Sequence, residues 1–218
     1  MIYRRWLITL FLSCVAIASP AVADFAGKVV GVSDGDTLTV LRDRTQIRIR
    51  LYGIDCPETG QDFGSRAKQF TSELAFGKVV KVVPRATDGY GRVVAEVVLP
   101  DGRVLNDELV KAGLAWWYRQ YARDIGTLSQ LEAQAREAKR GLWSQPNPVP
   151  PWEWRRTKRD TVRAELAGKF IANRRSRVYH TPGCRNAATI SAANRVVFES
   201  AEAAERAGYR PGDDCHRR

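Results

Sequence analysis

Short runs rich in β-branched residues cover Gly27 to Val32, Thr37 to Leu41 and Gln46 to Ile54, and the turn residues Asp34-Gly35-Asp36 and Arg42-Asp43 break them apart. This pattern predicts three strands of a meander. The period then changes to that of a helix, with Ala67, Phe70 and Leu74 recurring up to Gly77, a good residue just past a helix end. Two further strands, Lys78 to Val83 and Val93 to Leu99, flank the turn-rich Asp88-Gly89-Tyr90-Gly91. Helices return at Asn106 to Ala112, stopped by Gly113, and from Thr127, whose spacing to Gln130 makes a capping box with Leu128, Leu131, Ala135 and Ala138 on one face. Five strands with inserted and trailing helices predict an α+β, mainly β, fold built on a small closed barrel of the oligonucleotide-binding type.

Four of the ten prolines cluster in Gln145-Pro146-Asn147-Pro148-Val149-Pro150-Pro151. Neither a helix nor a central strand continues through such a run, so a boundary falls there. At the other end, Arg4 and Arg5 precede an apolar stretch from Trp6 to Ala18, then Pro20 and Ala21-Val22-Ala23, the layout of a secretory signal cleaved after Ala23. The stretch is shorter than the roughly 20 residues that span a bilayer. The expected organisation is a signal peptide over 1–23, a barrel domain over 24–144, a Pro-rich and basic linker over 145–168 and a small α+β module over 169–218. Export to the periplasm or the medium is expected, as a monomer with no stable membrane association once the signal is removed.

Charge sharpens this division. The chain carries 35 Lys and Arg against 24 Asp and Glu, a net +11. Residues 24–144 hold 18 basic and 16 acidic groups, whereas 145–218 hold 15 and 8, so the basic excess belongs to the tail and points to a polyanion. The only histidines are His180 and His216, which excludes a Ser-His-Asp triad or a His-based metal site from the barrel. Chemistry there must use carboxylates, Arg, Lys or Tyr. Asp34 and Asp36 share one loop, and Asp55 and Glu58 follow the strand ending at Ile54. Each alone reads as a turn residue. If the first loop lies beside the end of the neighbouring strand, Asp36 and Asp55 converge on one hard cation, and Glu58 faces its water. Arg48 and Arg50 lie two apart on one strand and Arg92 follows the Tyr90-Gly91 turn; a solvated face is the reading for Arg48. Guanidinium groups near acids and a cation suit phosphodiester displacement, and Glu58 is then the candidate to activate water.

Asp34-Gly35-Asp36-Thr37, Arg50-Leu51-Tyr52-Gly53-Ile54-Asp55-Cys56-Pro57-Glu58-Thr59, Asp88-Gly89-Tyr90-Gly91-Arg92, Asn106-Asp107-Glu108-Leu109-Val110 and Gly113-Leu114-Ala115, in this order, resemble the staphylococcal nuclease (thermonuclease) family over about residues 27–144. The resemblance implies a five-stranded barrel with three helices and a calcium-dependent phosphodiesterase acting on DNA and RNA, with single-stranded or locally melted substrate favoured and 3′-phosphate products. It makes Asp36, Asp55 and the backbone carbonyl of Cys56 the Ca2+ ligands, Glu58 the general base, and Arg50 and Arg92 the grip on the phosphate. Cys56 stands where the family often has Thr. Trp116-Trp117-Tyr118 and Tyr121 are similar to the family's substrate-stacking tyrosines, with core packing favoured for one of the two Trp. A different class of function stays open, a barrel that binds nucleic acid without cutting it, and a third reading makes the tail an adaptor with the nuclease as its payload.

In the tail, Arg155-Arg156-Thr157-Lys158-Arg159 and Arg174-Arg175-Ser176-Arg177 are charge runs, read equally as solvated surface or as phosphate contacts. From Lys169 onward, Val178 to Cys184, Asn194 to Phe198, a capped helix over Ser200 to Gly208 and Tyr209-Arg210-Pro211 before Cys215 resemble a small zinc-binding module similar to the metal domain of alkyl-DNA repair proteins. His180 and Cys184 supply one ligand pair, but Gly212 stands where Cys215 needs a partner. Two outcomes stay open: Zn2+ completed by Asp213, Asp214 or His216, or the favoured Cys184–Cys215 disulfide, because a fifty-residue unit needs a staple.

Overall fold

The computed structural model describes residues 23–123 and 126–213. The expected signal segment therefore lies outside the described residues, apart from Ala23, and so do Asp214, Cys215 and His216. Strands β1 (Phe25–Val32), β2 (Thr37–Arg42) and β3 (Thr45–Leu51) form the meander, and the short β4 (Ile54–Asp55) follows. Helix α1 (Gly64–Ala75), strands β5 (Val79–Thr87) and β6 (Val93–Val98), helix α2 (Leu105–Lys111), strand β7 (Trp116–Trp117) and helix α3 (Gly126–Glu137) complete the first unit.

The barrel closes in the order β1-β2-β3-β6-β5, with β3 and β6 parallel and the other neighbouring strands antiparallel. Alternation sends Val29, Leu38, Val40, Ile49, Leu51, Val80 and Val82 to the inside, where each is at most 1% exposed. Burying a side chain of this size contributes about 1.5–3 kcal/mol, so the interior rather than any polar contact holds the barrel shut. The predicted strand from Gln46 to Ile54 is two elements: Gly53 takes a positive φ of 75°, ending β3 and turning the chain into β4. That turn aims Asp55 back toward β2. Asn106, almost fully buried, ties α2 to the turn, its amide donating to the carbonyls of Tyr52 (2.9 Å) and Ala95 (3.3 Å) while its oxygen accepts from the Val97 N–H.

The segment expected as a linker carries structure of its own. After a short 3-10 turn (Gly141–Ser144) and the proline run, α4 spans Pro151–Glu165, with Pro151 at a first-turn position where a missing N–H costs nothing. Beyond it, β8 (Phe170–Asn173), β9 (Val178–His180), β10 (Arg195–Phe198) and β11 (Arg210–Pro211) form a sheet ordered β10-β8-β9-β11, and α5 (Ala201–Arg206) starts on a Ser200 side-chain cap. Ala172, Tyr179, Ala204 and Tyr209 make its core. Cys184 is disulfide-bonded, and its Sγ lies 3.6 Å from His180 Nδ1. The proposed pairing with Cys215 lies outside the described residues.

Candidate active site

Two loops build the site. The Asp34-Gly35-Asp36 turn comes so close to the next segment that a Cβ on Gly35 would sit 2.8 Å from Cys56 Sγ and 2.7 Å from Ala67 Cβ. Only glycine lets the turn rest there, and the Thr71 hydroxyl of α1 fixes it by donating to the Gly35 carbonyl at 2.5 Å. Asp36 is thereby brought beside Asp55, and its Oδ2 accepts from the Cys56 N–H at 2.6 Å. Arg50, next to last in β3, lies between the two acids: one guanidinium nitrogen is ion-paired with Asp36 Oδ2, and Nη2 donates to Asp55 Oδ1 at 2.7 Å.

These groups are buried, Asp36 to 6% and Asp55 to 1% exposure. Burial works against the Arg50 charge, but Asp36 and Asp55 outweigh it and hold the guanidinium above its ordinary pKa. Burial raises Asp55, against the pull of Arg155 and Arg50. Asp34 is pushed up to about 6 by burial and by the neighbouring Asp36 charge. Burial likewise lifts the Cys56 thiol well above its usual value, so this sulfur, the free cysteine among the described residues, is a packing group and not a nucleophile.

Asp36, Arg50, Asp55, Glu58 and Arg92 all line one cleft of about 820 Å3. Arg92 is held on its side of the cleft by Asp88, whose Oδ2 accepts from Nε at 2.7 Å and whose Oδ1 accepts from the Arg92 and Tyr90 N–H groups at 2.9 Å. Tyr118 and Tyr121 sit on the rim, edge to face at 4.8 Å, with Tyr121 largely exposed. Trp116 is core, packed against Trp143, whereas Trp117 is half-buried and its indole donates to the Ala122 carbonyl. Arg48 is exposed.

One cleft residue escaped the sequence reading. Arg155 of α4 donates to Glu58 Oε1 at 2.6 Å and to Asp55 Oδ2 at 2.8 Å. It opens a charge run whose remaining members Arg156, Lys158 and Arg159 are exposed. The missed signal was Trp152 and Trp154 just ahead of that run, since aromatic residues there give the helix something to dock with.

The donor set fits a hard cation. Asp36 and Asp55 present carboxylate oxygens to one guanidinium group, that of Arg50, and the Cys56 carbonyl belongs to the residue that follows Asp55. Among the described residues no group of three or more His, Cys, Asp or Glu is gathered as a metal cluster. Among the described residues of the tail no zinc site is assembled, because a ligating cysteine must be a thiolate and Cys184 is disulfide-bonded.

Residues 48–145 match the family model described as "Staphylococcal nuclease homologue", and residues 154–217 match "Metal binding domain of Ada". An "Uncharacterized endonuclease" of Escherichia coli is 47% identical over 136 residues, covering 62% of this chain and 88% of that protein. A "Micrococcal nuclease" of Shigella flexneri is 42% identical, covering 67% and 89%. A further "Uncharacterized endonuclease", of Haemophilus influenzae, is 40% identical, covering 72% and 88%.

Proposed function

The chain belongs to the staphylococcal nuclease family, and from that premise we propose that it is an exported, calcium-dependent nuclease that hydrolyses DNA and RNA and leaves 3′-phosphate ends. The observation that carries the reading is the meeting of Asp36 and Asp55, from separate loops, on the Arg50 guanidinium, with Glu58 one turn further at the mouth of the same cleft. Asp36, Asp55 and the Cys56 carbonyl would hold calcium, which would supply positive charge beside the phosphoryl oxygens. Glu58, partly exposed and hydrogen-bonded by Arg155 in the metal-free protein, is the group that takes the proton of the attacking water. Arg50 and Arg92 donate to the phosphoryl oxygens and so oppose the charge that builds as water adds and the 5′-oxygen departs. Asp88 keeps Arg92 aimed, and the exposed Tyr121 offers a ring to unpaired bases.

The tail is read as the polyanion grip, on its excess of basic groups. Its similarity to a metal domain carries no zinc chemistry into this mechanism, because the described donors do not fit. The test is digestion of plasmid DNA and of RNA by purified residues 24–218, in calcium and in chelator, with end-group analysis of the fragments. Cleavage in calcium alone with 3′-phosphate ends is expected. Binding without cleavage would favour the non-catalytic barrel.

A further inference from the structure

Arg155 does not come from the barrel. It lies on α4, beyond residue 145 where the nuclease match ends, yet it reaches the two acidic groups on which the chemistry depends. Its Nη2 takes Asp55 Oδ2 while Arg50 takes Asp55 Oδ1, so both oxygens of Asp55 are engaged by guanidinium groups. Its Nη1 takes Glu58 Oε1. Burial opposes the Arg155 charge, but the hydrogen bonds it donates to Asp55 and Glu58 overcome this.

The segment that delivers Arg155 is docked. Trp152 stacks parallel on Tyr118 at 5.2 Å between ring centroids and meets Trp116 edge to face at 5.7 Å. Gln61, from the loop just after Glu58, donates to the Val149 carbonyl at 2.6 Å, and Gln145 donates to Asp62 at 2.8 Å. Aromatic stacking and two hydrogen bonds thus set the start of α4 against the rim of the cleft, and Arg155 follows one turn later.

A divalent cation and a guanidinium compete for the same carboxylate lone pairs, and each repels the other at contact distance. Asp36, Asp55 and Glu58 carry three negative charges against the two positive charges of Arg50 and Arg155. With Arg155 turned out, the negative excess grows, and Asp34 beside Asp36 adds to it, which favours a divalent ion. We propose that Arg155 is a built-in competitor for the cation: it holds Asp55 and Glu58 in the metal-free protein, and the cation reaches Asp55 only by displacing it. Helix α4 thereby raises the calcium concentration at which the site fills, keeping the nuclease silent where calcium is scarce. The inference rests on the calcium-nuclease reading above.

Calorimetric titration of calcium chloride into residues 24–218, without nucleic acid, tests it. Hydrogen bonds to charged groups are the strong ones, so Arg155→Gln should bind calcium on the order of 10-fold more tightly than the unaltered protein. Trp152→Ala, which loosens the anchor and leaves every cleft charge in place, should shift affinity in the same direction, and it carries the test if Arg155→Gln does not fold. Arg156→Gln, the same charge change at an exposed neighbour, should stay within about twofold. Unchanged or weaker binding by a folded Arg155→Gln, or an equal gain from Arg156→Gln, would overturn the competitor while leaving calcium binding intact. No binding by any of these proteins would instead overturn the calcium reading, and the competitor with it.

Discussion

Replacing Arg50 by alanine exposes how the cleft is held together before any substrate arrives. Arg50 is the group shared by Asp36 and Asp55, both nearly fully buried. Its removal leaves Asp36 with the Cys56 N–H and the Thr37 hydroxyl as hydrogen-bond donors and no ion-pair partner among the described residues, while Asp55 keeps Arg155. Breaking a buried ion pair by deleting one partner costs about 3–5 kcal/mol, because the surviving charge stays desolvated. Retention of the Asp55–Arg155 pair places the expected loss at the lower end, near 3 kcal/mol. Urea unfolding of residues 24–218 in chelator, followed by tryptophan fluorescence, measures it. The cost comes from stranded charge and not from lost packing, so adding Asp36→Asn to Arg50→Ala should restore more than about 1 kcal/mol. Calcium should do the same by supplying the missing positive charge. If Arg50→Ala unfolds within about 1 kcal/mol of the unaltered protein, or Asp36→Asn only worsens it, the buried-pair account of the cleft is wrong.

Three further outcomes follow from the same geometry. Arg92→Ala should slow cleavage on the order of 10²–10³-fold, and Asp88→Ala, which only frees Arg92 to wander, should cost less and act on kcat more than on stability, as steady-state kinetics and melting curves would separate. Asn106→Ala strands the Tyr52 carbonyl and the Val97 N–H behind the cleft and should destabilise the protein by about 1–3 kcal/mol in urea, with activity per folded molecule little changed. Truncation after residue 168 removes the basic module, so the slope of log affinity for single-stranded DNA against log salt should become shallower, and an unaltered slope would assign the charge of 169–218 to another partner.

How legible the molecule was in its sequence depended on how local the cause was. The meander, α1 and the stop at Gly113 follow from side-chain period and turn chemistry, which are properties of neighbouring residues. Asp36 with Asp55 required one tertiary assumption, that the first loop lies beside the neighbouring strand end, and the Gly35 approach to Cys56 makes that contact. Glu132 was invisible: it sits on the apolar side of α3, nearly buried, accepting from the Trp117 N–H and pairing with Arg136, and no periodic pattern marks a polar group satisfied by distant backbone. Arg155 was hidden for a related reason. Its run reads as solvated charge until the Trp152–Tyr118 stack places it, and that stack joins two segments with a proline run between them. Proline there starts α4 as much as it ends what precedes it.

The central claim is that the barrel cleft cuts phosphodiester bonds with Glu58 as its base under a bound cation. The most direct measurement is the single-turnover cleavage rate of a short single-stranded DNA by residues 24–218 and by Glu58→Gln, in saturating calcium and in chelator, with folding of both checked by circular dichroism. The account predicts cleavage by the unaltered protein in calcium only, and a rate lower by about 10²–10⁴-fold for a folded Glu58→Gln. Equal rates for the two proteins, or undiminished cleavage in chelator, would contradict it.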